Sequence, residues 1–315
     1  MSDMEPVLAI IGPTAVGKSA FALEVAERIG GEILSCDSMA VYRGLDIGTD
    51  KPSAADRRRV PHHLLDVAEP GAYFSAGAFR RAALGAIENI KARGRTCVVT
   101  GGTGLYYRAL TRGLAGLPGR QEKLRERLCR KAERSGPESL HRILRRVDPE
   151  SAERIMPRDA LRLIRAIEVY FTTGRPLSAW FAEQGELQRP PLRWVRVGLT
   201  APRSWLYTRI EERVDSMMRA GLLDEVKRLR ERGVLTGPVA KAIGYGELAA
   251  FLEGLTSIEE AVARIKLRSR HLAKRQLAWF KKEEGIQWHS VDKEAWPNDA
   301  MEFIQRQLEK APRRA

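Results

Sequence analysis

Cysteine is scarce in this chain: Cys36, Cys97 and Cys129 lie far apart in 315 residues, with no CxxC pair. That pattern supports neither a disulfide framework nor a zinc site, and it suits a reducing cytosol. Long hydrophobic runs are missing too, and nothing approaches the ~20 apolar residues that a membrane-spanning helix needs. At the N-terminus Asp3 and Glu5 precede an apolar run of only five residues, Val7 to Ile11, which does not read as a signal peptide. Internal repeats and low-complexity tracts are absent, which argues against solenoid and fibrous architectures. Acidic residues are outnumbered, 40 Asp plus Glu against 54 Lys plus Arg, for a net charge of +14. Such an excess favours a polyanionic partner, nucleic acid first, although a merely basic enzyme fits it as well. With 43% hydrophobic and 30% charged residues the chain can bury a sizeable core, and its length suits about two domains.

The first hundred residues read as α/β. Val7-Leu8-Ala9-Ile10-Ile11 is a continuous apolar run, as expected of a strand buried on both faces. A helix follows from about Ser19, with Phe21, Val25 and Ile29 at four-residue spacing, and Gly30-Gly31 ends it. Glu32 to Cys36 reads as a second strand, Ala76 to Arg93 as a helix, and Thr96 to Thr100 as another buried strand. Strands alternating with helices predict a mostly parallel sheet flanked by helices. From Pro118 to Arg189 the pattern is helical only, and Pro190-Pro191 closes the stretch. A strand returns at Trp194 to Leu199, followed by long helices near 203–232 and 257–282, while the last 25 residues are polar and weakly specified. The expected organisation is an α/β core (1–117 and 191–315) interrupted by a helical insertion (118–190), with a helical C-terminal part.

Gly12-Pro13-Thr14-Ala15-Val16-Gly17-Lys18-Ser19 fits GxxxxGK[ST], directly after a strand and before a helix. A loop of this kind turns backbone N–H groups inward and adds a helix N-terminus. Lys18 supplies a mobile charge, and the Ser19 hydroxyl can ligate Mg²⁺. The pattern specifies a grip on a di- or triphosphate, within a P-loop-like sheet, but not the molecule that carries it. Asp37 falls at the carboxyl end of the second strand, where open α/β sheets bind ligands. Its residue type allows a general base, a metal ligand or a solvated turn residue, and Ser38 beside it can equally be a helix cap. Gly101-Gly102-Thr103-Gly104 ends another strand at the same edge, a weak signal alone. The pair His62-His63 reads as structural, and Cys36 as a small buried residue rather than a nucleophile. Arg264 to Lys282 holds eight Lys or Arg and no acid, with Trp279 and Phe280 interleaved. A charge run is usually a solvated face, but the missing acids point to contact with a phosphate backbone. Arg158, Arg162 and Arg165 add a second basic feature, the last two on one helical face.

The blocks GPTAVGKS, CDSMAVYRGLDIGTDKP (Cys36–Pro52), HHLLD (His62–Asp66), SAGAF (Ser75–Phe79), TGGTGLYYRAL (Thr100–Leu110), RDALRLIRAIEVYFTTGRPLS (Arg158–Ser178), GLLDEV (Gly221–Val226), KAIGYGEL (Lys241–Leu248) and KRQLAWF (Lys274–Phe280) resemble the bacterial tRNA dimethylallyltransferases in content and order. The resemblance implies transfer of a dimethylallyl group from dimethylallyl diphosphate to the N6 amine of an adenosine in tRNA. The target it implies is the base immediately 3′ of the anticodon in tRNAs reading codons that begin with U. The cysteine pattern suits a cytoplasmic enzyme, Ser19 of the phosphate loop provides for Mg²⁺, and a monomer is the default expectation. By that resemblance Asp37 matches the general base, and Thr103 a threonine near the amine and the diphosphate. Lys18 and Arg213 match cations at the diphosphate, and Arg125 a tRNA-contacting position.

The remaining tRNA contacts implied are Asp37-Ser38-Met39-Ala40, Leu161-Arg162-Leu163-Ile164-Arg165, Lys241-Ala242-Ile243-Gly244-Tyr245-Gly246 and Lys274-Arg275-Gln276-Leu277-Ala278-Trp279-Phe280-Lys281. Many members carry Gln where Ala40 stands and Arg where Gly246 stands, departures that bear on the reading of neighbouring bases and not on the reaction. No cysteine follows Cys129, so the zinc finger that eukaryotic members often add is not expected. Two rival classes remain at this stage. One is a small-molecule kinase, although no acid follows the Thr96–Thr100 strand to serve as a magnesium ligand. The other is a nucleic-acid-binding protein with a nucleotide switch, which gives Asp37 and the Thr103 loop no purpose.

Overall fold

The computed structural model describes residues 6–183 and 190–310. Six strands form one parallel sheet: β1 (Val7–Ile11), β2 (Glu32–Ser35), β3 (His62–His63), β4 (Cys97–Gly101), β5 (Trp194–Thr200) and β6 (Gln287–Ser290), in the order β3-β2-β4-β1-β5-β6. β1 lies in the middle, with Leu8 opposite Val98 of β4 and Ile10 opposite Val197 of β5. All five residues of β1 are fully buried, and they alternate between two cores as strand geometry requires. Val7, Ala9 and Ile11 join the core that also holds Phe79, Ile87 and Phe280. Leu8 and Ile10 face the other, made with Phe21, Val25 and Ile304.

The chain divides into two compact units, Met1–Thr111 with Pro191–Ala315, and Arg112–Pro190. The second begins at Arg112, where the helix Gly104–Arg112 ends, somewhat ahead of Pro118. Its described part is helical throughout and has its own core, centred on Leu140, Leu144, Leu163 and Ile167. Residues 184–189 of the expected insertion lie outside the described residues.

Two expectations need correction. The helical stretch 203–232 is two helices, Arg203–Arg219 and Leu222–Glu231, separated at Gly221 with φ 96°. The polar C-terminal stretch is not weakly specified. Trp296–Glu309 is a helix whose Ala300, Met301 and Ile304 enter the Leu8 core, and Trp296 packs on Phe21 at 5.0 Å. Buried residues only on one stripe give a low average hydropathy, which hides the helix from a reading by composition.

Candidate active site

The carboxyl ends of β1, β2 and β4 bring three loops together. The phosphate loop leaves β1 at Gly12, where a Cβ would stand 2.4 Å from the Leu199 carbonyl oxygen of β5, so only glycine fits that approach. Gly17 follows in the left-handed region, φ 93°, as the N-cap of the helix Lys18–Arg28. That helix start carries no side-chain cap and no acid in its first turn, leaving its N–H groups and dipole directed at the loop. Val16 is buried, Lys18 is half-buried, and Gly17 and Ser19 are exposed. The Lys18 ammonium donates to the Pro13 carbonyl at 2.5 Å. Arg213, from the helix Arg203–Arg219, donates to the Thr14 hydroxyl and pairs through Nε with Asp50 at 3.2 Å. Arg213 thus reaches the loop as expected, whereas Asp50, inside the DIGTDKP block, is a partner that sequence reading missed. Beside Arg213 a cleft of about 810 Å³ opens, lined also by Lys51, Arg57, Asp66 and Met217.

After β2 the Asp37 carboxylate forms a tight turn, its Oδ1 accepting from the N–H groups of Met39 (2.7 Å) and Ala40 (3.2 Å). The other oxygen has no hydrogen-bond partner among the described residues. After β4, Thr103 binds the same segment. Its hydroxyl accepts from the Ser38 N–H at 3.0 Å and donates to the Ser38 hydroxyl at 3.3 Å. Ser38 therefore ties two loops together and caps no helix. The third brace is Gln276, on the helix Ile258–Phe280. Its side-chain oxygen accepts from the Thr14 N–H at 2.8 Å and its nitrogen donates to the Gly102 carbonyl at 2.9 Å.

Burial of Lys18 and the Arg213 cation lower its ammonium to about 7, against the pull of the Asp37 and Asp50 carboxylates. The site thus holds a lysine that changes charge near neutrality, with Asp37 close enough to influence it. Burial pushes the Cys36 thiol well above its ordinary range, in keeping with an inert packing residue. His62 donates to the Val60 carbonyl and His63 bonds Glu32, each at 2.7 Å, so the histidine pair is structural. Among the described residues no group of three or more His, Cys, Asp or Glu could hold a metal ion, and no helix is long and apolar enough to cross a membrane.

The motif blocks divide on burial. Lys274, Arg275, Ala278 and Lys281 are exposed, as are Lys241, Leu161 and Arg162. By contrast Phe280, Tyr245, Leu163, Ile164, Ala242 and Ala40 are packed inside, so their side chains present nothing to a partner. Phe280 meets Tyr107 edge-on at 5.6 Å, and Trp279 lies under the Arg108 guanidinium at 4.5 Å. Tyr245 donates to buried Glu225 at 2.6 Å, and Glu225 accepts from the N–H groups of Asp46, Ile47 and Gly48. That knot explains why the DIGT, DEV and IGYGEL blocks occur together: they hold one loop. Arg125 and Arg165 both pair with Glu168, at 2.9 and 2.7 Å, and the Glu168 side chain is 0% exposed. One buried carboxylate thus holds both guanidinium groups within the helical unit, leaving one positive charge in excess.

The pattern of the family described as IPP transferase matches residues 40–283 of this chain. The tRNA dimethylallyltransferase of Thermomicrobium roseum is 46% identical over 310 residues, covering 98% of this chain and 93% of its own length. That of Geobacter metallireducens is 50% identical over 278 residues, covering 88% and 90%. Among solved structures, the full-length tRNA isopentenylpyrophosphate transferase of Bacillus halodurans superposes with a TM-score of 0.72 at 38% identity, covering 98% of each chain. A eukaryotic dimethylallyltransferase acting on tRNA gives a TM-score of 0.82 at 27% identity, over 99% of this chain and 81% of the other.

Proposed function

The chain belongs to the IPP transferase family, and from that premise we propose that it transfers a dimethylallyl group from dimethylallyl diphosphate to the N6 amine of the adenosine immediately 3′ of the anticodon. The observation that carries this reading is the meeting of an anion-gripping loop with an Asp37 carboxylate oxygen left free to take a proton. A kinase could use both features, but it also calls for an acidic magnesium ligand, and no acid follows the strand that ends at Gly101.

In the reaction the amine nitrogen forms the new C–N bond as the substrate's C–O bond breaks, and diphosphate leaves. Charge grows on the leaving oxygens, where Lys18, Arg213 and the N–H groups of the phosphate loop stabilise it. An exocyclic adenine amine is weakly nucleophilic because its lone pair is delocalised into the ring. Asp37 Oδ2 accepts its proton as the bond forms, and the turn to Met39 and Ala40 fixes the direction from which it does so. Thr103, held on Ser38, faces the same space and orients the amine. The target base must leave the anticodon-loop stack to reach this edge.

Mg²⁺ suits the donor set. It favours few protein oxygens plus phosphate oxygens and water, and exposed Ser19 at the loop offers one hydroxyl rather than an all-protein cage. Bound there it would neutralise diphosphate charge. The anticodon stem-loop is assigned to the exposed cations Lys274, Arg275 and Lys281, with Lys241, Leu161 and Arg162 as further contacts. We place the enzyme in the cytoplasm as a monomer. The defining experiment incubates the protein and Mg²⁺ with unmodified tRNA and either dimethylallyl diphosphate or ATP. A gain of one C5H8 unit on a tRNA adenosine supports the reading, and phosphate transfer from ATP refutes it.

Two expected outcomes bear on the parts. A polyanion at the loop favours the charged form of Lys18. Below about pH 7 the ammonium is already present, so binding takes up little proton. Above it each bound diphosphate must bring a proton to Lys18, and affinity falls as pH rises, by up to about tenfold per unit. Calorimetry of inorganic diphosphate at about pH 8.5, in buffers of different ionisation heat, should register this uptake, and Lys18→Met should abolish it. For the basic helix end, tRNA affinity should fall log-linearly with salt, and Lys274→Ala with Arg275→Ala should flatten the slope by about one to two. An unchanged slope would make these cations a solvated face.

A further inference from the structure

We propose that Gln276 is a positioning residue for the transfer, its single amide setting the spacing between the loop that grips the leaving group and the loop that faces the nucleophile. The proposal rests on the reading of the site given above, and it starts from two hydrogen bonds. The Thr14 N–H, in the phosphate loop, donates to Oε1 at 2.8 Å, and Nε2 donates to the Gly102 carbonyl at 2.9 Å. Thr14 also holds Arg213 through its hydroxyl, and Gly102 directly precedes Thr103, whose hydroxyl braces the Asp37–Ser38 segment. The amide therefore stands between the groups that meet the diphosphate and those that meet the adenine.

An amide performs this task at that place without depending on pH. One partner is a donor and the other an acceptor, so the bridging group must accept on one side and donate on the other. A carboxylate meets the Gly102 carbonyl oxygen with its own lone pairs, an ammonium cannot accept from Thr14, and an apolar chain does neither. The seat is also closely fitted: a Cβ on Gly102 would lie 2.2 Å from the Gln276 amide nitrogen. Gln276 is half-buried, whereas Lys274 and Arg275 beside it are exposed. Its neighbours point to solvent and Gln276 points inward. Reacting atoms that are misplaced by about 1 Å can cost on the order of 10²-fold in rate, so a brace at this position acts on the chemical step.

Three variants test it in the full chain. Gln276→Met keeps the length and removes both bonds. Its single-turnover rate at saturating tRNA and dimethylallyl diphosphate should fall about 10–100-fold, with tRNA affinity within about twofold of wild type. Gln276→Ala should match it. Gln276→Glu provides a signature that a merely structural role does not produce. As a carboxylate it loses the Gly102 bond, but as a neutral acid it both accepts and donates, so the ratio of its rate to that of wild type should rise as pH falls. A full chemical rate in Gln276→Met, or a pH-independent Gln276→Glu ratio, overturns the proposal. So does loss of tRNA affinity with an unchanged chemical rate, which would make Gln276 a tRNA contact. Calorimetry of inorganic diphosphate on the same variants separates this failure from that of the functional reading. If wild type transfers no prenyl group to tRNA, weaker diphosphate binding in Gln276→Met still supports the brace, and unchanged binding removes it.

Discussion

With Asp37 replaced by Asn, the single-turnover rate of prenyl transfer is expected to drop by roughly 10²–10⁴-fold, the usual worth of a general base. The substitution is structurally mild. An Asn side-chain oxygen still accepts from the Met39 and Ala40 N–H groups that now bond Oδ1, and its amide takes the place of the free oxygen without being able to receive a proton. Affinities for tRNA and for dimethylallyl diphosphate should therefore change far less than the rate, because the loss is confined to the transition state. A role limited to the turn predicts near-normal chemistry with a small loss of stability. A role in holding Mg²⁺ predicts weaker diphosphate binding and partial recovery at high Mg²⁺. Measurements at two Mg²⁺ concentrations distinguish the three.

The second large effect is on stability. Glu168 is fully buried, pairs with Arg125 and Arg165, and accepts from the Gln121 N–H at 2.7 Å. Through these bonds it pins the start of the helix Glu122–Ser135 to the helix Ala160–Thr173. Removing one partner of a buried ion pair costs about 3–5 kcal/mol, and Glu168→Ala additionally strips an acceptor from a backbone donor. Hydrogen exchange on the full chain should show residues 122–173 losing protection while the sheet keeps its own. The contrast with Arg125→Ala is informative. If Arg125 serves chiefly to neutralise Glu168, that variant loses protection in the same segment together with tRNA affinity. A variant that binds tRNA poorly while the helices stay fully protected would restore Arg125 as a direct contact.

Much of the fold could be read because its signals are local. Five consecutive apolar residues, a glycine turn and a Lys-Ser pair define β1 and the phosphate loop within one short window. The helical insertion betrays itself by what it lacks, a single strand pattern over some seventy residues. What escaped depends on distant partners. β3 is two residues long and exists because Ile33 and Leu34 lie beside it. Its residues carry no strand pattern of their own. The C-terminal helix spends its few apolar residues on one stripe. At the site, Asp37, Lys18, Thr103 and Arg213 were legible through motif and resemblance, but motif blocks do not distinguish a residue that touches a ligand from one that holds a neighbour. Phe280, Tyr245 and Leu163 lie in such blocks and are wholly interior. Gln276 lies among exposed cations in sequence yet bonds to a loop 262 positions earlier, a relation that no local pattern carries.

The central place of β1 in the sheet has a consequence for the order in which a growing chain can complete itself. β1 and the phosphate loop are made first, yet one edge of β1 pairs only with β5, whose first residue is Trp194. At ribosomal speeds of about 5–20 residues per second, the stretch between β4 and β5 takes on the order of 5–20 s to synthesise. During that interval the most apolar strand of the protein waits with the N–H and C=O groups of that edge unpaired, an invitation to wrong partners. The helical unit, whose contacts are short in sequence, can fold meanwhile. The phosphate loop waits longer still, until Gln276 emerges to hold it. Ribosome-bound chains halted before and after residue 200 should differ sharply in protease resistance of their first hundred residues, so that the earliest segment made is among the last to become secure.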